Sequence, residues 1–211
     1  FDLREPAWPF EAAIKGVRVR AVVTGGAGFI GSTLVDQLVA AGHHVDVIDN
    51  LSTGSLANLV PAQQAAPGRV VVHQADIRDG AVTGIIAAAR PDVVYHLAAQ
   101  ADVRVSVTDP VLDASINVIG TLNVLEGARA AGARKVVAAS SGGTIYGEPA
   151  ASALPVDESH PQHPVSPYGV SKNAFTDYLH AYRELHELEY TSLALANVYG
   201  TDERPKCQCV E

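Results

Sequence analysis

From Arg18 onward, short Val-rich apolar runs alternate with longer Ala-rich stretches. The runs at 19–24, 44–49, 69–75, 92–97, 135–140 and 192–196 have the length of strands, and their β-branched residues suit a buried, pleated surface. The stretches at 29–41, 81–89, 111–131 and 168–188 are long enough for helices. Parallel neighbours need a crossover, so strands that alternate with helices form βαβ units. The pattern predicts an α/β fold with a doubly wound parallel sheet, which binds ligands at the carboxyl ends of its strands. Residues 50–54, 61–68 and 147–167 predict loops, the last one long and Pro-rich. Residues 1–16 mix charges with two prolines and show no period, which predicts a poorly ordered leader.

Composition narrows the partners. A chain of 211 residues, 47% of them hydrophobic, is long enough for a core without disulfides. Fifteen Lys and Arg against 23 Asp and Glu give a net charge of −8, which argues against nucleic acid or an anionic membrane as the main partner. It leaves open a small anion held by backbone N–H groups. Cys207 and Cys209 lie in the last five residues and supply only half of a structural zinc's ligands, so neither a disulfide framework nor a metal site is expected. No apolar run reaches the ~18 residues of a membrane span. Residues 1–16 carry no signal-peptide core, so a cytoplasmic location is expected. There is no methionine.

The first run is followed by Thr24-Gly25-Gly26-Ala27-Gly28-Phe29-Ile30-Gly31. Two frames fit, Gly26/Gly28/Gly31 and Gly25/Gly28/Gly31. In either, glycine permits a tight turn, close approach of backbone to a pyrophosphate, and close packing of the helix that follows. The pyrophosphate would meet the N–H groups at that helix's start. Strand before and helix after is the context a dinucleotide turn requires. Asp49 ends the second run, 18 residues past Gly31. A carboxylate there accepts from ribose hydroxyls and repels a 2′-phosphate, which favours NAD over NADP; a strand-end turn would also explain it. Asp76-Ile77, after the third run, could hold the adenine edge or could serve as a turn.

Ser166-Pro167-Tyr168-Gly169-Val170-Ser171-Lys172 reads as a helix start, with Ser166 as N-cap and Pro167 at the first position. Tyr168 and Lys172 are four apart and share a face. A free tyrosine is a poor base at neutral pH, but a neighbouring ammonium and a positive nicotinamide ring favour the phenolate. A shift of about three units corresponds to roughly 4 kcal/mol, within reach of a partly dry cleft. An amphipathic helix with a core Tyr and a solvated Lys has the same spacing. Ser140-Ser141-Gly142-Gly143-Thr144 lies at a strand end that faces the cofactor, and Ser141 is the hydroxyl expected to orient a sugar hydroxyl or carbonyl; turn chemistry alone would also explain Ser-Ser-Gly-Gly.

These segments, with His96-Leu97-Ala98-Ala99-Gln100, Asn117, Ser140–Gly147 and Asn197-Val198-Tyr199-Gly200, resemble the extended short-chain dehydrogenase/reductases. The likeness runs from about Val17 to Gly200 and is closest to NAD-dependent sugar-nucleotide epimerases of the UDP-glucose 4-epimerase type. It implies a Rossmann-like NAD-binding domain over 17–200, with NAD as cofactor and a UDP-hexose as substrate. By the resemblance, Gly25, Gly28, Phe29, Ile30 and Gly31 contact the pyrophosphate, and Asp49, Asn50, Leu51, Ser52, Thr53 and Gly54 the adenosine side. Asp76 and Ile77 meet adenine, and Leu97, Ala98, Ala99 and Gln100 line the dinucleotide. Asn117 lies beneath the nicotinamide half, Tyr168 and Lys172 hold its ribose, and Ser140 is a further cofactor contact. Ser141, Tyr168 and Lys172 form the catalytic group, and Ser141, Tyr168 and Asn197 touch the substrate. The implied reaction interconverts UDP-glucose and UDP-galactose at C4 through a 4-keto sugar, with Tyr168 as base. The alternatives are another sugar-nucleotide epimerase, a decarboxylase or 4,6-dehydratase, or an NAD-binding fragment without turnover. A homodimer through helices 111–131 and 168–188 is also implied.

The chain departs from the family pattern at four places. Ser141 stands five before Tyr146, where many members have a hydroxyl four before; a one-residue loop variation with Ser141 still functional is expected. The Asp-Glu pair that marks 4,6-dehydratases is absent. Leu193-Ala194-Leu195 stands where the family often has Leu-Arg-Tyr. Residues 201–211 form an atypical tail unlike the family's continuation, so most of the C-terminal substrate domain is expected to be missing from a C-terminally truncated chain.

Overall fold

A computed structural model describes residues 18–200. The expected leader at 1–16, the tail at 201–211 and Cys207 and Cys209 lie outside the described residues. Six strands form one sheet: β1 (Arg20–Thr24), β2 (His44–Asp49), β3 (Val70–Gln74), β4 (Val93–His96), β5 (Lys135–Ser141) and β6 (Glu189–Leu195). Their order is β3-β2-β1-β4-β5-β6, and every pair is parallel. The chain moves outward from β1 to β3, then returns beside β1 as β4. The carboxyl ends of β1 and β4 therefore diverge into helices on opposite faces and leave a crevice at this switch point.

Helices α1 (Phe29–Ala40) and α2 (Val60–Ala65) cover one face, where Ala21, Val23, Val45 and Val47 pack against Val35, Leu38, Val39 and Leu59. On the other face, Val22, Val94, Val136 and Ala138 pack against α3 (Ala81–Ala89), α6 (Thr121–Ala131) and α7 (Pro167–His186). Adjacent residues such as Val22 and Val23 are both buried because both faces are covered, which is why these strands read as runs rather than alternations.

Several elements differ from the expectation. The 61–68 loop contains α2, whose Pro61 occupies the first turn, where its missing N–H costs nothing. A 3-10 turn at Leu56–Leu59 precedes it, with the Ser55 side chain accepting from Ala57 N. Helix α4 (Val103–Thr108) follows β4, capped by Asp102, which accepts from Arg104 N. The 111–131 helix is three pieces, α5 (Pro110–Ala114), a π-helical stretch (Ser115–Gly120) and α6. β6 begins at Glu189, three residues before the apolar run, because it pairs with β5 from Lys135 onward at the edge of the sheet. No helix among the described residues is long and apolar enough to cross a membrane, and no cluster of three metal-ligating side chains occurs among them.

Candidate active site

The glycine turn joins β1 to α1 at the switch point. Gly25 has φ +69°, and a Cβ there would lie 2.7 Å from Ala98 N, on the loop after β4. A Cβ on Gly31 would run into the carbonyl oxygen of Gly25 and lie 2.7 Å from Gly26 Cα. The turn is thus folded tightly on itself and on the neighbouring loop, with room only for hydrogens. Gly28 is the N-cap of α1 and offers no side-chain acceptor, so first-turn N–H groups of α1 lack the usual cap and can serve an anion.

Asp49, 8% exposed, holds this turn in place. Its Oδ2 accepts from Ala27 N at 2.9 Å and its Oδ1 from Leu51 N at 2.8 Å. Each oxygen keeps a second lone pair, so the turn role leaves room for a ribose hydroxyl. Asn50 reaches Asp76 at 3.1 Å, which brings the 49–54 and 76–77 segments together. Arg78 grips Asp76 through Nε at 3.0 Å and Nη2 at 2.7 Å and holds its carboxyl well below the usual range. Ile77 is buried in the core, where Gly120 packs closely on its side chain.

The loop after β4 is pinned from beneath. Asn117, in the π-helical stretch, brackets Gln100, accepting from its N–H at 3.0 Å and donating to its carbonyl at 2.9 Å. Thr24 Oγ1 accepts from Ala98 N at 3.3 Å. The sequence assigned His96 no role of its own, although a lone histidine closing an apolar run was the signal that could have found it. It is buried between Thr24 Oγ1, 2.7 Å from Nδ1, and Thr121 Oγ1, 2.9 Å from Nε2. Thr121 spends its one proton on Asn117 O at 2.7 Å, so it accepts from Nε2–H, and Nδ1 accepts from Thr24. This one-directional chain ties β1, β4 and the π-helical stretch together. Burial first, and then the nearby Lys172 ammonium, hold His96 neutral, with its pKa lowered to about 3.

Ser141, Tyr168 and Lys172 come together at the end of β5 and the start of α7. Ser166 caps α7 as expected, accepting from Gly169 N at 3.1 Å. The Ser141 hydroxyl stands near enough to the Tyr168 hydroxyl to act on its ionisation. Lys172 is buried, donates to Ala139 O at 2.8 Å, and lies 5.8 Å from the centre of the Tyr168 ring. The electrostatics differ from the expectation for the tyrosine. Burial pushes the Tyr168 phenol up, the Ser141 hydroxyl pulls it back, and the Asp113 carboxylate pushes it up again. The same burial lowers Lys172 to about 8, opposed by Asp113. A dry site disfavours both charged forms, so a phenolate here needs positive charge from a ligand.

Ser140 is buried and its Oγ has no hydrogen-bond partner. Asn197 is exposed two residues past β6, whose last residue, Leu195, pairs with Ser141, so it lies at the same strand-end edge. Asp113, also missed in the sequence, is a buried carboxylate in contact with α7.

Comparison with known proteins gives the family and the fold. Residues 21–208 match the model of the NAD dependent epimerase/dehydratase family. A UDP-glucose 4-epimerase of Mycolicibacterium smegmatis is 49% identical over 187 residues, covering 89% of this chain and 58% of that protein. Among solved structures, the Thermotoga maritima UDP-glucose 4-epimerase with UDP-glucose superposes with a TM-score of 0.79 at 41% identity, covering 86% of this chain and 56% of that one. The Thermus thermophilus UDP-glucose 4-epimerase, complexed with NAD, gives 0.75 at 45% identity, covering 82% and 53%. The chain therefore spans somewhat more than half the length of these relatives.

Proposed function

The chain belongs to the NAD-dependent epimerase/dehydratase family, and from that premise we propose that its site binds NAD and serves the 4-epimerisation of a UDP-hexose, interconverting UDP-glucose and UDP-galactose. The observation that carries the reading is the convergence of Ser141, Tyr168 and Lys172 beside a glycine turn that closes on the loop after β4. The residues fit the cofactor. A backbone cradle that a Cβ would fill suits a pyrophosphate, and the unpartnered Ser140 Oγ leaves a buried polar atom for a ligand to satisfy. Residues 25–31 would hold the pyrophosphate, 49–54 and Asp76 the adenosine, and 97–100, Asn117, Ser140, Tyr168 and Lys172 the nicotinamide half. Asp49, with no Arg in the residues that follow it, favours a free 2′-hydroxyl over a 2′-phosphate.

Bound NAD supplies reversible two-electron oxidation of the sugar carbinol. The chain's own residues handle the proton. Tyr168 would take it from the 4-hydroxyl at its phenolate oxygen and return it to the 4-oxygen once the 4-keto sugar has turned its other face to the cofactor. Ser141 donates to that same region and keeps the phenol and the sugar oxygen in line. Lys172 lies against the tyrosine ring and adds to the positive charge that a bound ligand must bring. Asn197 would reach the substrate diphosphate. Val111, Ile119, Val170, Tyr178 and Leu185 are exposed apolar residues on 110–131 and α7, which supports a homodimer through these helices.

The test is conversion of UDP-galactose to UDP-glucose by the purified chain with NAD, beside Tyr168→Phe, with NAD affinity measured by calorimetry. The expected result is product with wild type, its loss in the variant by about 100-fold or more, and NAD binding by both. Failure of the wild-type chain to bind NAD would overturn the reading.

A further inference from the structure

Asp113 sits at the end of α5, just before the π-helical stretch, with no exposed surface. Three donors fill its carboxylate: Ser171 Oγ at 2.6 Å, Gln100 Nε2 at 3.0 Å and Asn117 Nδ2 at 3.0 Å. The amide nitrogens can only donate, so Oδ1 accepts twice. The contact to Ser171 is as short as a hydroxyl bound to an ionised carboxylate. None of the three partners carries a charge, and a buried carboxylate so placed needs a positive charge in its field. Lys172 has the complementary problem. It is buried, it donates to the Ala139 carbonyl rather than to a carboxylate, and it lies against the rings of Phe175 and Tyr168. Ser171, which Asp113 grips, is the residue next to it.

We propose that Asp113 is a positioning residue of this site: it clamps α7 through Ser171 to the Gln100 loop, and its charge compensates the buried Lys172 ammonium. The inference rests on the reading of Tyr168 and Lys172 as the reactive pair. Three titratable groups act on or against Lys172: His96 from β4, Tyr168 from α7 itself and Asp113 from α5. Burial keeps His96 neutral and Tyr168 protonated, so neither supplies the negative charge. Asp113 is the group that opposes the desolvation of Lys172. In this arrangement the same carboxylate sets where the lysine sits and keeps it charged, without touching substrate or cofactor.

Two substitutions separate the charge from the clamp. Asp113→Asn can keep an acceptor toward Gln100 and Asn117 and turn an amide donor toward Ser171, so the geometry survives and the charge is lost. Ser171→Ala removes the clamp and leaves the charge. The readout is the titration of [13Cε]lysine in the full chain, whose four lysines are Lys15, Lys135, Lys172 and Lys206, with Lys172→Met assigning the signal. Lys172 should titrate near pH 8 in wild type. It should fall by at least about half a unit in Asp113→Asn, and stay within about 0.2 unit of wild type in Ser171→Ala. Amide exchange should quicken at residues 168–172 in Ser171→Ala, and Ser171→Thr should restore protection. Should Asp113→Asn fail to fold, the wild-type Asp113 13Cγ resonance takes its place and should step at the Lys172 midpoint. An unchanged Lys172 titration in Asp113→Asn, a missing Asp113 step, or unaltered exchange in Ser171→Ala overturns the proposal. NAD calorimetry on the same samples reports the functional reading separately, since the lysine titration needs no cofactor.

Discussion

One substitution, made at two glycines, tests the packing of the cofactor turn with its sign decided by structure. Gly31 and Gly84 both lie in helices, and in a helix Ala exceeds Gly by about 1 kcal/mol through backbone entropy. At Gly84 a Cβ meets nothing within 4 Å, so Gly84→Ala should realise most of that gain. At Gly31 the Cβ strikes the Gly25 carbonyl and comes within 2.7 Å of Gly26 Cα and 2.9 Å of the Gly25 carbonyl carbon. All three atoms are backbone, in a turn held on its other side by Ala98 and Asp49, so none can swing aside. Overpacking of this kind costs about 1–3 kcal/mol or more, which outweighs the helix gain. We expect Gly31→Ala to lose about 1–2 kcal/mol net and Gly84→Ala to gain about 0.5–1 kcal/mol. For a domain of this size that is a fall in Tm of about 2–8 °C against a rise of about 1–4 °C. Urea and thermal unfolding measure both. NAD affinity should fall in Gly31→Ala and hold in Gly84→Ala, because only the first displaces the cradle. A Gly31→Ala chain as stable as wild type would refute the close packing from which the pyrophosphate site is argued.

Other outcomes follow from burial of charge. Lys172 is lowered from its ordinary 10.5 to about 8, so the folded state holds fewer protons than the unfolded state between those values, and stability should rise with pH across that window. Against Lys172→Met, the wild-type gain in urea unfolding from pH 8 to 10 should approach 2 kcal/mol, roughly. A flat difference would show that the ammonium is not desolvated. His96, lowered from 6.5 to about 3, works at the acid end: the unfolded state binds its proton first, so stability should fall as pH drops below 6.5. His96→Gln should remove about 3 kcal/mol of that loss by pH 4, read from urea midpoints in parallel with wild type. Phe175→Ala, at a side chain 1% exposed beneath the lysine, should cost about 3–5 kcal/mol in the same assay.

Much of the sheet was legible because each of its central strands is covered on both faces and bounded by Gly, Asp or Pro. His44–Asp49 and Ala81–Ala89 begin and end where the pattern placed them. The misses lie where tertiary context replaces pattern. Glu189, Tyr190 and Thr191 belong to β6 through pairing with β5, which no apolar run announces at a sheet edge. Val60–Ala65 and Val103–Thr108 are six-residue helices, too short for periodicity and set by local capping and packing.

The site divides in the same way. Ser166, Tyr168 and Lys172 could be read because their relation is local, a cap and a four-residue spacing on one helix. The groups that set their electrostatics stand far away in sequence: Asp113 is 58 residues from Ser171, and Thr24 is 72 from His96. A buried polar residue of this kind looks in sequence like an exposed one, since only its partners distinguish them. That also explains why the sign expected for Tyr168 was incomplete. The spacing shows that a lysine is near, but the sign of the shift depends on how dry the pair is and on the carboxylate behind it. A reactive pair can therefore be named from its motif, while the charge it carries is decided in part by residues that belong to no motif, and it is at Asp113 and Thr121 that substitutions outside the recognised segments should alter this site most.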